Sequence, residues 1–238
     1  MSYIDFDELD VLTFDCYGTL VDWERGLLRA LRPVLVSHGV SAGDRDVLEL
    51  YAEIEPALQE GEYRPYRDVL VEAVRAVGRR HGFEPDAEEE TVLLDTIGTW
   101  PPFSDTVDSL RRLKSRYRLG VISNVDAALF ERTAERLRVP FDYVVTAEDA
   151  GAYKPDVRPF ELALEAMATT RERVLHVAQS LFHDIRPAKE LGFLCVWVNR
   201  RAGMNGSGAT PSVELGSESR PDMVVPDLRS LVSLMGLR

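Results

Sequence analysis

Residues 12–20 read Leu12-Thr13-Phe14-Asp15-Cys16-Tyr17-Gly18-Thr19-Leu20, and the fold turns on how this stretch is read. An apolar run from Val11 to Phe14 gives way to a carboxylate at Asp15 and a glycine at Gly18. Val, Leu, Thr and Phe in a short run bounded by a turn signal predict a buried strand. The first charged side chain then stands at the strand's carboxyl end, the edge where open parallel α/β sheets hold ligands. Gly18 lets the backbone leave sharply and turns amides toward a bound anion.

Outward from that strand the pattern changes twice. Asp22 is placed to cap a helix carrying Leu27, Leu28, Leu31, Val34 and Leu35. A second helix carries Val47, Leu48, Tyr51 and Ile54 and is expected to stop before Pro56. A third reads through Tyr63, Tyr66, Val69, Leu70, Ala73, Val74 and Val77, with Arg79, Arg80 and Gly82 as a helix C-terminus. A fourth holds Val92, Leu93, Ile97 and Trp100 until Pro101-Pro102 halts it. From Ser104, where Ser104 or Asp105 is expected to cap a helix, helices and strands alternate. Strands are predicted at 119–122, 143–146, 174–178, 195–198 and 223–225, with a Gly-, Ser- and Pro-rich loop over 201–220. Such alternation implies a parallel sheet covered on both faces. The expected architecture is α/β: a Rossmann-like core of residues 1–20 and 99–238, interrupted by a helical cap of residues 21–98.

Composition narrows the function classes. A chain of 238 residues with 45% hydrophobic content needs no disulfide or structural metal to build a core. Its two cysteines, Cys16 and Cys195, are both expected on strands as buried, reduced thiols. The acidic N-terminus lacks a signal-peptide layout, and no apolar run approaches the roughly 20 residues that span a bilayer, so a cytoplasmic protein is expected. A formal net charge of -12 argues against nucleic acid or anionic membranes as partners. Any anion site must therefore be built locally from Lys, Arg or backbone amides.

Four strand ends offer polar groups: Asp15, Ser123-Asn124, Lys154 and Asp184. Each alone is weak, since a Ser-Asn after a strand is usually a turn. Together, in this order, at one edge of one sheet, they form a constellation. Phe14-Asp15-Cys16-Tyr17-Gly18-Thr19-Leu20, Val121-Ile122-Ser123-Asn124, Tyr153-Lys154-Pro155 and the Asp184 region resemble the haloacid dehalogenase superfamily of hydrolases along nearly the whole chain. The resemblance implies Asp15 as a nucleophile that forms a covalent intermediate, and Ser123 as a ligand of the substrate anion. It also implies Lys154 as the charge balance and Asp184 as the group that anchors Lys154 or orients water. Chemistry suits these roles. A carboxylate stripped of water attacks well, and Lys154 is expected to keep both acids ionised. Ser123 and Asn124 are expected to donate neutral hydrogen bonds, and the amides around Cys16 and Tyr17 to cradle a carboxylate or oxyanion.

Position 17 separates members of that superfamily. Its phosphatases carry a second aspartate there to protonate the leaving alcohol; this chain has Tyr17, in the Asp-x-Tyr-Gly-Thr pattern of the 2-haloacid dehalogenases. A halide needs no acid to leave, whereas an alkoxide does. Loss of that carboxylate also weakens a magnesium site, so no cofactor is expected, with magnesium required only if the chain is a phosphatase after all. The resemblance is incomplete. Gln179-Ser180-Leu181-Phe182-His183-Asp184 stands where those dehalogenases carry Ser-x-Asn before the last aspartate, and Phe160 replaces a tyrosine. Their cap arginine has no evident match beyond Arg64 or Arg67. The stretch from Asp15 to Trp23, Ser180-x-x-His183-Asp184, and Arg200-Arg201 with Gly208-Ala209-Thr210 resemble a subgroup that opens the strained ring of azetidine-2-carboxylate. Ser180 and His183 are accordingly candidate substrate-binding residues. The expected partner is a small carboxylic acid, and the resemblance implies a homodimer.

Overall fold

The computed structural model describes residues 4–204, 208–211, 213, 216, 217 and 219–237. Six strands form one parallel sheet: β1 (Val11–Phe14), β2 (Arg118–Ser123), β3 (Tyr143–Thr146), β4 (Val174–Ala178), β5 (Leu194–Val198) and β6 (Met223–Val225), in the order β3-β2-β1-β4-β5-β6. The strand order runs away from β1 in both directions, so the sheet has its topological switch point beside β1. Ligands of such sheets bind there, outside the carboxyl ends of the strands.

Period-two alternation sends the strand side chains to two separate cores. Leu12, Phe14, Leu119, Val121, Leu175, Val177, Val196 and Val198 join α6 (Thr106–Lys114), α7 (Ala127–Leu137) and α11 (Leu228–Leu234). Val11, Ile122, Val174, Ala178 and Cys195 join α9 (Arg158–Met167) and α10 (Arg186–Glu190) on the other face. Each fully buried Leu, Val or Phe contributes about 1.5–3 kcal/mol relative to exposure. A short helix, α8 (Ala147–Ala150), follows β3 and ends in Gly151.

The chain between β1 and β2 is helical: α1 (Trp23–Ser37), α2 (Asp44–Gln59), α3 (Tyr66–His81), α4 (Ala87–Glu90), α5 (Val92–Thr96) and a 3-10 turn at Ile97–Thr99. Asp22 caps α1, as expected, by accepting a bond from the Arg25 amide. Gly26 lets α1 approach Trp100 closely, because a Cβ there would lie 2.3 Å from the indole ring. The α3 N-terminus is capped from afar: Asp126, sixty residues on, accepts the amides of Tyr66 at 2.7 Å and Arg67 at 3.0 Å.

Several local expectations are corrected. The second helix does not stop before Pro56; α2 runs through it to Gln59. Packing of its buried Tyr51 and Glu55 outweighs the hydrogen bond that proline removes. The third helix starts at Tyr66, leaving Tyr63 outside. The fourth is broken into α4, α5 and the 3-10 turn. Here the Thr96 hydroxyl bonds the Val92 carbonyl and the Thr99 hydroxyl bonds Thr96, competing with a regular helical ladder. Cys16 lies beyond β1 rather than on it, although both cysteines are buried and free as expected. Asp105 precedes α6 but its carboxylate caps nothing there; it accepts the Arg200 guanidinium and the Leu228 amide instead.

Candidate active site

The carboxyl ends of β1, β2 and β4 converge on a cavity of about 50 Å³, lined from the sheet side by Asp15, Ser123, Lys154 and Asp184. One water takes about 10–15 Å³ on that scale, so there is room for a handful of non-hydrogen atoms. The residues predicted at separate strand ends are thus brought together in space.

Asp15 follows β1, and both of its oxygens are engaged. Oδ1 accepts from Lys154 Nζ at 3.0 Å and Oδ2 from Thr19 Oγ1 at 2.7 Å. The loop after it folds back on itself, with Leu20 and Val21 amides on the Cys16 carbonyl. Gly18, at φ +98, makes that turn; a Cβ there would press on Trp23 at 3.0 Å and Gln179 at 3.1 Å. Thr19 ties the loop to β4 by accepting the Gln179 amide. Its carbonyl accepts two bonds from Arg200, whose guanidinium also grips Asp105 at 2.8 and 2.9 Å. The nucleophile candidate therefore sits on a loop held from three directions.

Lys154 is fully buried, and its three donors are all spent: Asp15, Asp184 at 2.7 Å and the Ile122 carbonyl at 2.8 Å. Burial alone pulls its pKa down, but Asp15 and Asp184 outweigh that and hold it above the usual lysine value. Asp184 Oδ1 also meets His176 Nε2 at 3.1 Å, and His176 Nδ1 meets Thr13 Oγ1 at 3.0 Å. With Nε2–H donating to the carboxylate, Nδ1 accepts from the threonine. Burial pushes Asp184 up, yet Lys154 and His176 bring it below the ordinary carboxylate range. Asp15 behaves differently: burial pushes its pKa above the ordinary carboxylate value by more than Lys154 and Thr19 pull it down. One ammonium shared by two buried acids favours the better-bonded one.

Two buried oxygens in the cavity wall have no partner among the described residues, Ser123 Oγ and Asp184 Oδ2. Both are available to a ligand or a water, because a buried polar group left unpaired is costly. Asn124 also lines the cavity, and its amide holds the Lys154 backbone, donating to its carbonyl at 2.9 Å and accepting its amide at 2.7 Å. One Nδ2–H is left over after those bonds. The Tyr17 hydroxyl is bound to Thr133 at 2.7 Å, and burial holds both that phenol and the Cys16 thiol well above their usual pKa, so both are neutral. Ser180 accepts the His183 amide and lies 3.2 Å from His183 Nδ1. Burial drops His183 to about 4, leaving a neutral imidazole in the wall. Phe160 lies outside the cavity, edge-on to His176 and Phe193.

Sequence reasoning missed four residues here. Thr19 was visible as the hydroxyl four places after Asp15. His176 lies opposite Thr13 in the β1–β4 register, a pairing known only once the strands are neighbours. Gln179 follows β4 and accepts from Thr210 Oγ1. Glu55 enters the cavity from α2, and Gln59, one turn on, joins it because that helix continues past Pro56. Tyr66 donates to its Oε1, and burial raises the Glu55 pKa to about 7. No arginine lines the cavity among the described residues; Arg67 lies instead 4.0 Å from Asp126.

The donor set suits magnesium poorly. That ion wants near-octahedral oxygen ligands, whereas both Asp15 oxygens already accept protein donors, position 17 offers a tied phenol, and Asp184 Oδ2 is the remaining unpartnered carboxylate oxygen. Among the described residues, no helix is long and apolar enough to cross a membrane.

The sequence family described as haloacid dehalogenase-like hydrolase matches residues 9–192. An (S)-2-haloacid dehalogenase of Pseudomonas sp. (strain YL) is 29% identical, covering 96% of this chain and 95% of the relative. A glyceraldehyde 3-phosphate phosphatase of Methanothermobacter thermautotrophicus is 30% identical over 80% of this chain and 86% of its own. The solved L-2-haloacid dehalogenase of Xanthobacter autotrophicus superposes with a TM-score of 0.79 at 21% identity, covering 96% of this chain and 98% of that one. That likeness is one of fold.

Proposed function

This chain belongs to the haloacid dehalogenase-like hydrolases, and from that premise we propose that it hydrolyses a small 2-substituted carboxylic acid at its α-carbon, without metal, as a 2-haloacid dehalogenase does. The observation that carries this is the pairing of Asp15 with Lys154 at the end of β1, beside a Tyr17 whose hydroxyl is committed to Thr133. A phenol so tied, with its pKa pushed up by burial, is a poor acid for a departing alkoxide. A halide needs no such acid.

In this reading residues 21–98 act as a cap over a core of 1–20 and 99–238. Ser123 Oγ takes the substrate carboxylate, and the Asp15 carboxylate attacks the α-carbon as halide leaves, giving an ester on Asp15. Lys154 favours the ionised nucleophile against the burial that raises its pKa. Water held by Asp184 Oδ2 then adds to the ester carbonyl and frees the 2-hydroxy acid. Holding the reactants in contact supplies much of the acceleration. A second reading, opening of a strained ring as in azetidine-2-carboxylate, keeps the attack of Asp15 and changes the leaving group to nitrogen. The lack of an arginine in the lining favours it.

A single turnover in heavy-oxygen water tests the mechanism. The product should carry ordinary oxygen and Asp15 the label; label in the first-turnover product would mean direct attack by water. Excess EDTA should leave turnover unchanged. Activity restored by magnesium alone, with phosphate release from a phosphate ester, would instead support a phosphatase.

A further inference from the structure

Glu55 is a buried acid that the chemistry above does not use. It lines the cavity from α2, beside Trp23, Gln59 and Tyr66, while Asp15 lines it from the sheet edge. It is 5% exposed, accepts from the Tyr66 hydroxyl and forms no ion pair among the described residues. Burying a carboxyl without a cation is costly unless something else present in the working enzyme compensates it.

We propose that Glu55 is a specificity-determining residue that recognises a protonated nitrogen on the substrate, so that the cavity selects zwitterionic 2-substituted carboxylic acids over plain anionic ones. The proposal rests on the reading that Asp15 attacks the α-carbon. An attacking group and its leaving group lie on opposite sides of the carbon. Attack from the sheet edge therefore turns the leaving group, the nitrogen in the ring-opening reading, away from Asp15 toward the helical wall, where Glu55 stands.

Charge decides the preference. The lining carries Asp15, Glu55 and Asp184 against Lys154, whose donors are all spent within the protein. A plain 2-haloacid adds another negative charge to that set. A zwitterion adds none, and its ammonium gains a charge-assisted hydrogen bond to Glu55. Ser123 Oγ remains for the carboxylate in either case.

The same geometry sets a pH dependence. Facing or flanking Glu55 are Tyr51 on its own helix, Tyr66 on α3, Tyr153 next to Lys154, and Asp15 and Lys154 across the cavity. Burial holds the three phenols above the usual tyrosine value, hence neutral, and Lys154 stays charged. His183, held at about 4, stays neutral as well. Glu55, at about 7, changes charge through the neutral range. An ammonium ligand should thus bind more tightly as pH rises from 6 to 8, and a plain anion less tightly.

The test is calorimetric binding of L-alanine and L-lactate, a matched pair without a leaving group, to wild type and Glu55→Gln at pH 6 and 8. Wild type should prefer alanine at least tenfold at pH 8 and less at pH 6, and Glu55→Gln should lose the preference. Equal preference in both proteins, a wild type that prefers lactate at pH 8, or no alanine binding overturns the proposal. If Glu55→Gln fails to fold, the sign of the wild-type pH trend for alanine decides alone. Turnover of 2-chloropropionate and azetidine-2-carboxylate by wild type and Asp15→Asn reports separately on the nucleophile. Alanine binding with no Asp15-dependent turnover would retain the Glu55 site and remove the α-carbon reading.

Discussion

The two walls of the cavity treat buried charge in opposite ways. On the sheet side, Lys154 meets two carboxylates and a carbonyl, and Asp184 is braced by His176 and through it by Thr13. On the helical side, Glu55 has a phenol and, among the described residues, no cation. The first arrangement is nearly complete before any ligand arrives, as suits groups that must meet a transition state without reorganising. The second is left short of a partner. On the proposed reading, bond-making belongs to the sheet edge and the choice of substrate to the helices, and each wall can be broken separately.

The largest effect is expected at the sheet edge. Lys154→Ala leaves Asp15 and Asp184 facing each other, and breaking a buried ion pair in this way costs about 3–5 kcal/mol. Turnover should fall by at least about 10³-fold, the scale of losing one preorganised charge-stabilising group, while a thermal melt stays cooperative at lower temperature. Near-normal turnover would reduce this lysine to a structural residue.

A smaller effect, with a defined pH signature, is expected on the helical wall. The folded-state pKa of Glu55, about 7, lies above its ordinary 4.5, so its contribution to stability is complete below pH 4.5 and is lost as pH rises through 7. Glu55→Gln removes that loss and should stabilise the protein increasingly from pH 5 to pH 8, by on the order of 3 kcal/mol at the upper end. Denaturant melts at both pH values measure it, and a pH-independent difference would show that folding leaves the Glu55 pKa unshifted.

The smallest effect lies where the walls join. Asp126, in the loop after β2, caps α3 and so helps fix Tyr66 beside Glu55. Asp126→Ala should cost about 1–2 kcal/mol, the range of a lost helix cap. It should weaken binding of alanine more than it slows the chemical step. An unchanged melt would mean that water replaces the cap without cost.

The regions also differ in how legible they were. Strands β3, β4 and β6 fall at the residues predicted, because buried apolar runs bounded by turn residues are local signals. The helical segment was read less well: Pro56 does not end α2, and the fourth helix is broken. Propensity is a weak signal that packing overrides, and hydroxyl-to-backbone bonds at Thr96 and Thr99 are not visible as periodicity.

Pattern alone placed Asp15 and Ser123 where strands end, since an apolar run followed by its first polar residue needs no knowledge of the neighbouring strands; Lys154 instead follows α8, and Asp184 lies in the helical turn Leu181–Ile185, several residues beyond the ends of β3 and β4. What each side chain does with its hydrogen bonds depended on which strands and loops became neighbours. Asn124 was tied to the Lys154 backbone, Tyr17 to Thr133, and His176 was recruited through Thr13. Gln59 became part of the cavity because tertiary packing carried α2 past its proline. Contacts between residues far apart in the chain, and the desolvation they impose, arise only on folding; the order of polar and apolar residues is already present in the chain.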